Sequence, residues 1–171
     1  HAPGFLKFAS QILFNVRCRA SAVIPTLNTY LINPWGDFMQ KITFTENLAH
    51  NIALMQSVFE GDDTFIVREA TGRNGLHCAM FFFDGMVDSF TINESLVRPV
   101  LLSDRRRASA DELAGRILQA DDCRVETDMD KALAAFLYGD TLVLTEGDAR
   151  PLVVNTKGFA RRSPEEPENE R

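Results

Sequence analysis

Apolar positions along this chain change period several times, and each change marks an element. Leu48, Ile52, Met55 and Phe59 recur at helical spacing, which predicts an amphipathic helix behind a capping-box pair, Thr43 and Glu46. Gly61-Asp62-Asp63 ends it, and Thr64 to Glu69 reads as a strand. After the Gly72-Arg73-Asn74-Gly75 turn, Leu76 to Phe83 is apolar at nearly every position. Such a run predicts a strand buried on both faces. Asp84-Gly85 closes it, and a second helix carries Ile92, Leu96 and Val97, with Pro99 ending or kinking it.

The second half repeats the alternation. Ser109 and Glu112 have capping-box spacing before Leu113, Ile117 and Leu118. Cys123 to Glu126 reads as a short strand. Asp128 caps a helix bearing Ala132, Leu133, Phe136 and Leu137, and Gly139 stands where a glycine stop belongs. Leu142-Val143-Leu144 and Leu152-Val153-Val154, around Glu146-Gly147-Asp148, read as a hairpin. The expected class is therefore mixed α+β. Two small units are expected, helix-strand-strand-helix over 41–103 and helix-strand-helix-strand-strand over 104–156. Each has only about 50–60 residues and is marginal alone, so a shared interface is expected.

The flanks differ. In 1–40, Phe5, Phe8, Ala9, Ile12, Leu13 and Val16 have helical spacing, interrupted later by Pro25, Pro34 and Gly36. A leader is the reading, either a short amphipathic helix packed on the domain, a poorly ordered segment, or a helix lying on an anionic membrane surface. Residues 157–171, rich in Pro and Glu, read as a linker. The start at His1 and the charged end suggest a piece of a longer protein.

Composition narrows the choices. The 171 residues are 45% hydrophobic and 25% charged, as in ordinary globular domains. A net charge of -6 argues against a broad nucleic-acid face. Cys18, Cys78 and Cys123 are far apart and odd in number, so neither a disulfide framework nor a zinc knuckle is indicated. No apolar run approaches the roughly 20 residues of a membrane span. His77 and Cys78 are neighbours on a strand and must point to opposite faces, which disfavours a nucleophile–base pair. Phosphate-loop, dinucleotide, serine-hydrolase and EF-hand motifs are absent. No catalytic centre, cofactor or metal site is expected.

Three stretches carry a resemblance. Phe81-Phe82-Phe83-Asp84-Gly85-Met86-Val87-Asp88 is followed by Ile92-Asn93-Glu94 and by Arg98-Pro99. Leu137-Tyr138-Gly139-Asp140-Thr141 leads into an apolar strand. Gly158-Phe159-Ala160-Arg161-Arg162 precedes Glu166-Pro167 and Glu170. In order and spacing this set resembles the GerA spore germination family over about residues 41–171, with Met86 and Phe159 where Leu and Trp are commoner.

The resemblance implies the N-terminal cytoplasmic domain of an A-type germinant receptor subunit in the spore inner membrane. The implied partners are a transporter-like B subunit and a lipoprotein C subunit, with homo-oligomers of the full-length protein and coupling of nutrients to ion release. Arg162, Glu166, Pro167 and Glu170 would belong to the linker motif before the membrane part. Asp84, Gly85, Asp88, Asn93 and Glu94 cluster at one strand exit and are expected to serve a subdomain or subunit contact. The alternatives are a small-molecule-binding α/β module and the related A-type subunit associated with the dipicolinate channel.

Overall fold

The structure is a computed structural model that describes residues 42–158. The elements follow the expected order: α1 (Leu48–Val58), β1 (Phe65–Thr71), β2 (His77–Phe83), a helical run α2 over 89–102, a helical run α3 over 110–117, β3 (Cys123–Val125), α4 (Met129–Leu137), β4 (Thr141–Thr145) and β5 (Asp148–Val154). All five strands form one antiparallel sheet in the order β1-β2-β4-β5-β3. The fold is mixed α+β, as expected.

Both segments expected as separate units supply strands to this one sheet. β2 is buried from Cys78 to Phe83, so its backbone groups need partners on both edges. It takes β1 on one side, and on the other β4, with Cys78 opposite Thr145 and Phe81 opposite Leu142.

Strand alternation then sorts the core into two layers. Cys78, Met80, Phe82, Val143, Leu152 and Val154 meet Ile92, Leu96 and Val100 of α2 and Leu113 of α3. Ala79, Phe81, Phe83, Leu142, Leu144 and Val153 meet Leu48 and Met55 of α1 and Leu133 and Phe136 of α4. Helices thus cover both faces of the sheet. The second layer is aromatic at one end, where Phe59, Phe65, Phe83 and Phe136 lie with ring centroids 4.7–6.2 Å apart.

Helix ends follow local chemistry, with one correction. Ser109 and Glu112 form the reciprocal capping box, and Asp128 caps α4. The expected Thr43/Glu46 box is not the cap of α1. Asn47 accepts from the His50 N–H at 2.8 Å instead, while Asn51 bonds the Thr45 backbone at both N and O. Asn is as good an N-cap as Ser or Thr and stands one residue before the helix, so it wins the position.

Pro99 does not end α2. The helix widens into a π turn over Ile92–Val97, closed by the Arg98 N–H on the Asn93 carbonyl, and continues as Arg98–Leu102. Proline supplies no N–H to the Ser95 carbonyl. The Gln119 N–H, from the loop after α3, takes that carbonyl at 3.1 Å.

Asp148 ties α3 to β5. Its carboxylate accepts from the Ala110 N–H at 2.9 Å, and from the Arg150 N–H, Nε and Nη2 at 2.8–3.1 Å. Arg150 also pairs with Asp111 at 2.8 Å. Burial alone pushes the Asp148 carboxyl up, but these hydrogen bonds and the Arg150 charge together outweigh it and hold it below its ordinary value. A carboxyl depressed in the folded state stabilises the fold above the unfolded value of about 3.9 and loses that contribution as pH falls through the folded value. Asp148→Asn is therefore expected to cost about 2 kcal/mol at neutral pH. It should also flatten the loss of stability below about pH 4. Urea unfolding of both proteins across pH 2–7 checks this, and parallel acid limbs would count against it.

Candidate functional site

The exit from β2 is a tight turn. The Asp84 N–H donates to the Thr64 carbonyl at 2.7 Å and the Met86 N–H to the Phe83 carbonyl at 3.2 Å. Gly85 sits at φ +80° and donates its N–H to Asp84 Oδ1 at 3.0 Å. The chain then runs beside the segment that follows β5. The Asp88 N–H donates to the Thr156 carbonyl at 2.7 Å, the Gly158 N–H to the Met86 carbonyl at 3.2 Å, and Val87 bridges Lys157 antiparallel.

The expected contact residues divide by role. Asp88 caps α2, accepting from the Thr91 hydroxyl at 2.6 Å and from the Thr91 and Phe90 N–H groups. The Thr91 hydroxyl, more than any other contact, holds the Asp88 carboxyl below its usual range. Asn93 gives its carbonyl to the π turn. Glu94 pairs with Arg98 at 2.7 Å. Asp84 and Gly85 shape the turn itself. The five residues lie along one turn and the start of α2 rather than around one reacting point.

A second motif arrives from α4. Gly139 ends the helix at φ +102°, and a Cβ there would lie 2.9 Å from Met86 Cε. Asp140, only 5% exposed, receives Lys157 Nζ on Oδ1 at 2.5 Å. The same ammonium lies 4.7 Å from the centroid of the Tyr138 ring. Next to it the Thr141 and Thr156 hydroxyls bond each other at 2.7 Å, both buried. Gly158 closes the junction. A Cβ there would lie 3.1 Å from the Asp88 nitrogen and 3.2 Å from the Val87 carbonyl carbon, so the backbone of 87–88 would have to give by a few tenths of an ångström to admit one.

The segments 84–88, 137–141 and 156–158 therefore converge where the chain leaves the sheet toward residue 159. Lys157 was not singled out from the sequence. The signal was available in principle. An acidic residue between a glycine stop and a buried strand needs a compensating charge, and Lys157 is the first cation after β5.

The residues weighed for nucleophilic chemistry do not meet. His77 Nε2 contacts Glu69 Oε2 at 2.9 Å at the surface. Cys78 is in the core, its thiol pushed up to about 11 by burial against the pull of a hydrogen bond to Thr145. Half-burial and the nearby Asp122 charge raise Cys123 to about 11 as well. Arg162, Glu166, Pro167 and Glu170 of the expected linker motif, and the expected leader 1–40, lie outside the described residues.

Known proteins resemble most of this chain. The family model described as Bacillus/Clostridium GerA spore germination protein matches residues 53–171. The uncharacterized membrane protein YfkQ of Bacillus subtilis is 30% identical over 122 residues, 71% of this chain and 24% of YfkQ. Spore germination protein KA of Bacillus subtilis is 25% identical over 130 residues, 74% of this chain and 24% of that protein. The chain thus spans about a quarter of the length of these relatives. Among solved structures, the N-terminal domain of the A subunit of the Bacillus megaterium spore germinant receptor GerK3 has a similar fold. The TM-score is 0.51 and the identity 18%, covering 69% of this chain and 49% of that one.

Proposed function

We infer a role in spore germination for this chain, which belongs to the Bacillus/Clostridium GerA spore germination protein family. We propose that it is part of the N-terminal domain of a germinant receptor A subunit, on the cytoplasmic face of the spore inner membrane. It would couple nutrient binding elsewhere in the receptor to ion release. It would act through contacts and motion rather than catalysis, together with a transporter-like B subunit, a lipoprotein C subunit and further copies of the full-length protein.

One observation carries this reading. The segments 84–88, 137–141 and 156–158 close into a single junction at the point where the chain is handed on to residue 159. A junction held by backbone hydrogen bonds, a nearly buried ion pair and a glycine whose Cβ would press on the neighbouring backbone is stiff. A stiff exit passes a displacement of the sheet to whatever follows; a loose one would dissipate it.

The test is Gly158→Val in a full-length receptor expressed in spores. The expected result is normal receptor abundance in the inner membrane with the germination rate on saturating nutrient reduced by roughly tenfold or more, since small misplacements cost that much in coupled systems. An unaltered nutrient response at normal abundance would reject the coupling role of the junction. Thermal shift of the isolated chain with candidate germinants separates the alternative of direct ligand binding. A ligand at about 100 times its Kd would stabilise the chain by about 2.7 kcal/mol, and the coupling reading expects no such shift.

A further inference from the structure

The described residues expose four large apolar side chains, and three of them, Phe90, Leu101 and Leu102, belong to α2. Phe90 is 73% exposed and Leu102 51%. Between them in sequence stand Glu94 and Arg98, paired at 2.7 Å and themselves open to solvent. The inner side of the helix carries Ile92, Leu96 and Val100 into the core.

Phe90, Glu94, Arg98 and Leu102 are spaced four residues apart. In a regular α-helix of 3.6 residues per turn each such step drifts by about 40° around the axis. The π turn over Ile92–Val97 takes more residues per turn, which brings the four positions back toward one line. By this spacing the four positions approach one line, in the order apolar, acidic, basic, apolar.

That order is its own complement when reversed. Laid antiparallel on a second copy about a two-fold axis near Leu96, Phe90 faces Leu102, Glu94 faces Arg98, Arg98 faces Glu94 and Leu102 faces Phe90. An interface of this kind is isologous, each patch contacting the same patch on its partner. The two Glu–Arg pairs become one alternating four-charge cluster, and two apolar contacts flank it. We infer that the outer face of α2 is a self-association surface whose partner is the α2 face of a second copy of this chain. This inference does not depend on the coupling role of the exit junction.

From Phe90 to Leu102 the row is about 18 Å long at about 1.5 Å per residue. One helix on one helix of that length falls short of the roughly 1,000 Å² that marks stable assemblies. The association expected is therefore weak and concentration-dependent.

Sedimentation equilibrium of the 171-residue chain over about 10 µM to 1 mM measures it, the range in which interfaces of this size associate. The expected result is a monomer–dimer equilibrium. Glu94→Arg and Arg98→Glu alone each place like charges opposite one another and should weaken dimerisation roughly tenfold or more. The double swap E94R/R98E restores the complement and should recover wild-type association. Phe90→Ser, at an exposed position, should weaken it without lowering the melting temperature. A chain that is monomeric throughout, single swaps that dimerise normally, or a double swap no better than the single ones would each overturn the inference. Circular dichroism of every variant separates a lost contact from a lost fold.

Discussion

Phe136→Ala is expected to remove about 3–5 kcal/mol of folding free energy, the usual cost of deleting a buried aromatic ring. Phe136 is fully buried in α4, and its ring centroid lies 4.7 Å from that of Phe83, 5.6 Å from Phe59 and 6.2 Å from Phe65. These rings come from the C-cap of α1 and from β1, β2 and α4, so the truncation opens a cavity where four elements meet. Backbone elements cannot collapse into it without disturbing the sheet register. For a domain with about 5–15 kcal/mol in total, the loss is a large share. The melting temperature should fall by on the order of 10–20 °C. Phe90→Ala is the matched control. The same chemical change on the exposed face of α2 should stay within about 0.5 kcal/mol. Equal effects at the two positions would contradict the assignment of Phe136 to the core.

Lys157→Met should cost about 3 kcal/mol. Removing one partner of a buried ion pair strands the other charge, at about 3–5 kcal/mol. Lys157 keeps a fifth of its side chain exposed, which argues for the lower end. The substitution also forfeits the contact over the Tyr138 ring, about 0.5–1 kcal/mol. Asp140→Asn should cost less, about 1–2 kcal/mol, because the amide keeps its shape and one acceptor. The double substitution D140N/K157M should be more stable than the sum of the two losses by about 1–2 kcal/mol, the signature of direct coupling. Denaturant unfolding of the four proteins closes the cycle. Strict additivity would mean that the ammonium and the carboxylate act independently, and the junction would lose its main polar lock.

Much of this architecture was legible before any coordinates. Every helix and strand in the described region was expected, in the correct order. β2 was expected to be buried on both faces because it has no polar period. The Ser109–Glu112 box and the Asp128 cap were expected from spacing alone, and both are present. The family was recognisable because the motif around Asp84–Asp88, the Gly139-Asp140-Thr141 stretch and the Gly158 segment occur in a set order. The start of α1 was misjudged by a few residues, since Thr43/Glu46 and Asn47 both satisfy a capping rule and only one can act. Pro99 was expected to end or kink α2, and the helix does not end there. Instead a π turn and the Gln119 N–H absorb the missing hydrogen bond, and that rescue arrives from a different element.

By itself the sequence determined the elements, the caps of α3 and α4, the faces that must be buried and the family, because each depends on neighbours within a turn or a strand. Tertiary structure alone decided that β2 would take β4 as its second neighbour, making one sheet of two expected units. It also decided that Lys157 would reach Asp140 and that Met86 would occupy the space a side chain at Gly139 would need. Those outcomes depend on strand register and on where the chain returns after β5. No local periodicity encodes them, because the free energy that selects them comes from burying both faces of the sheet at once.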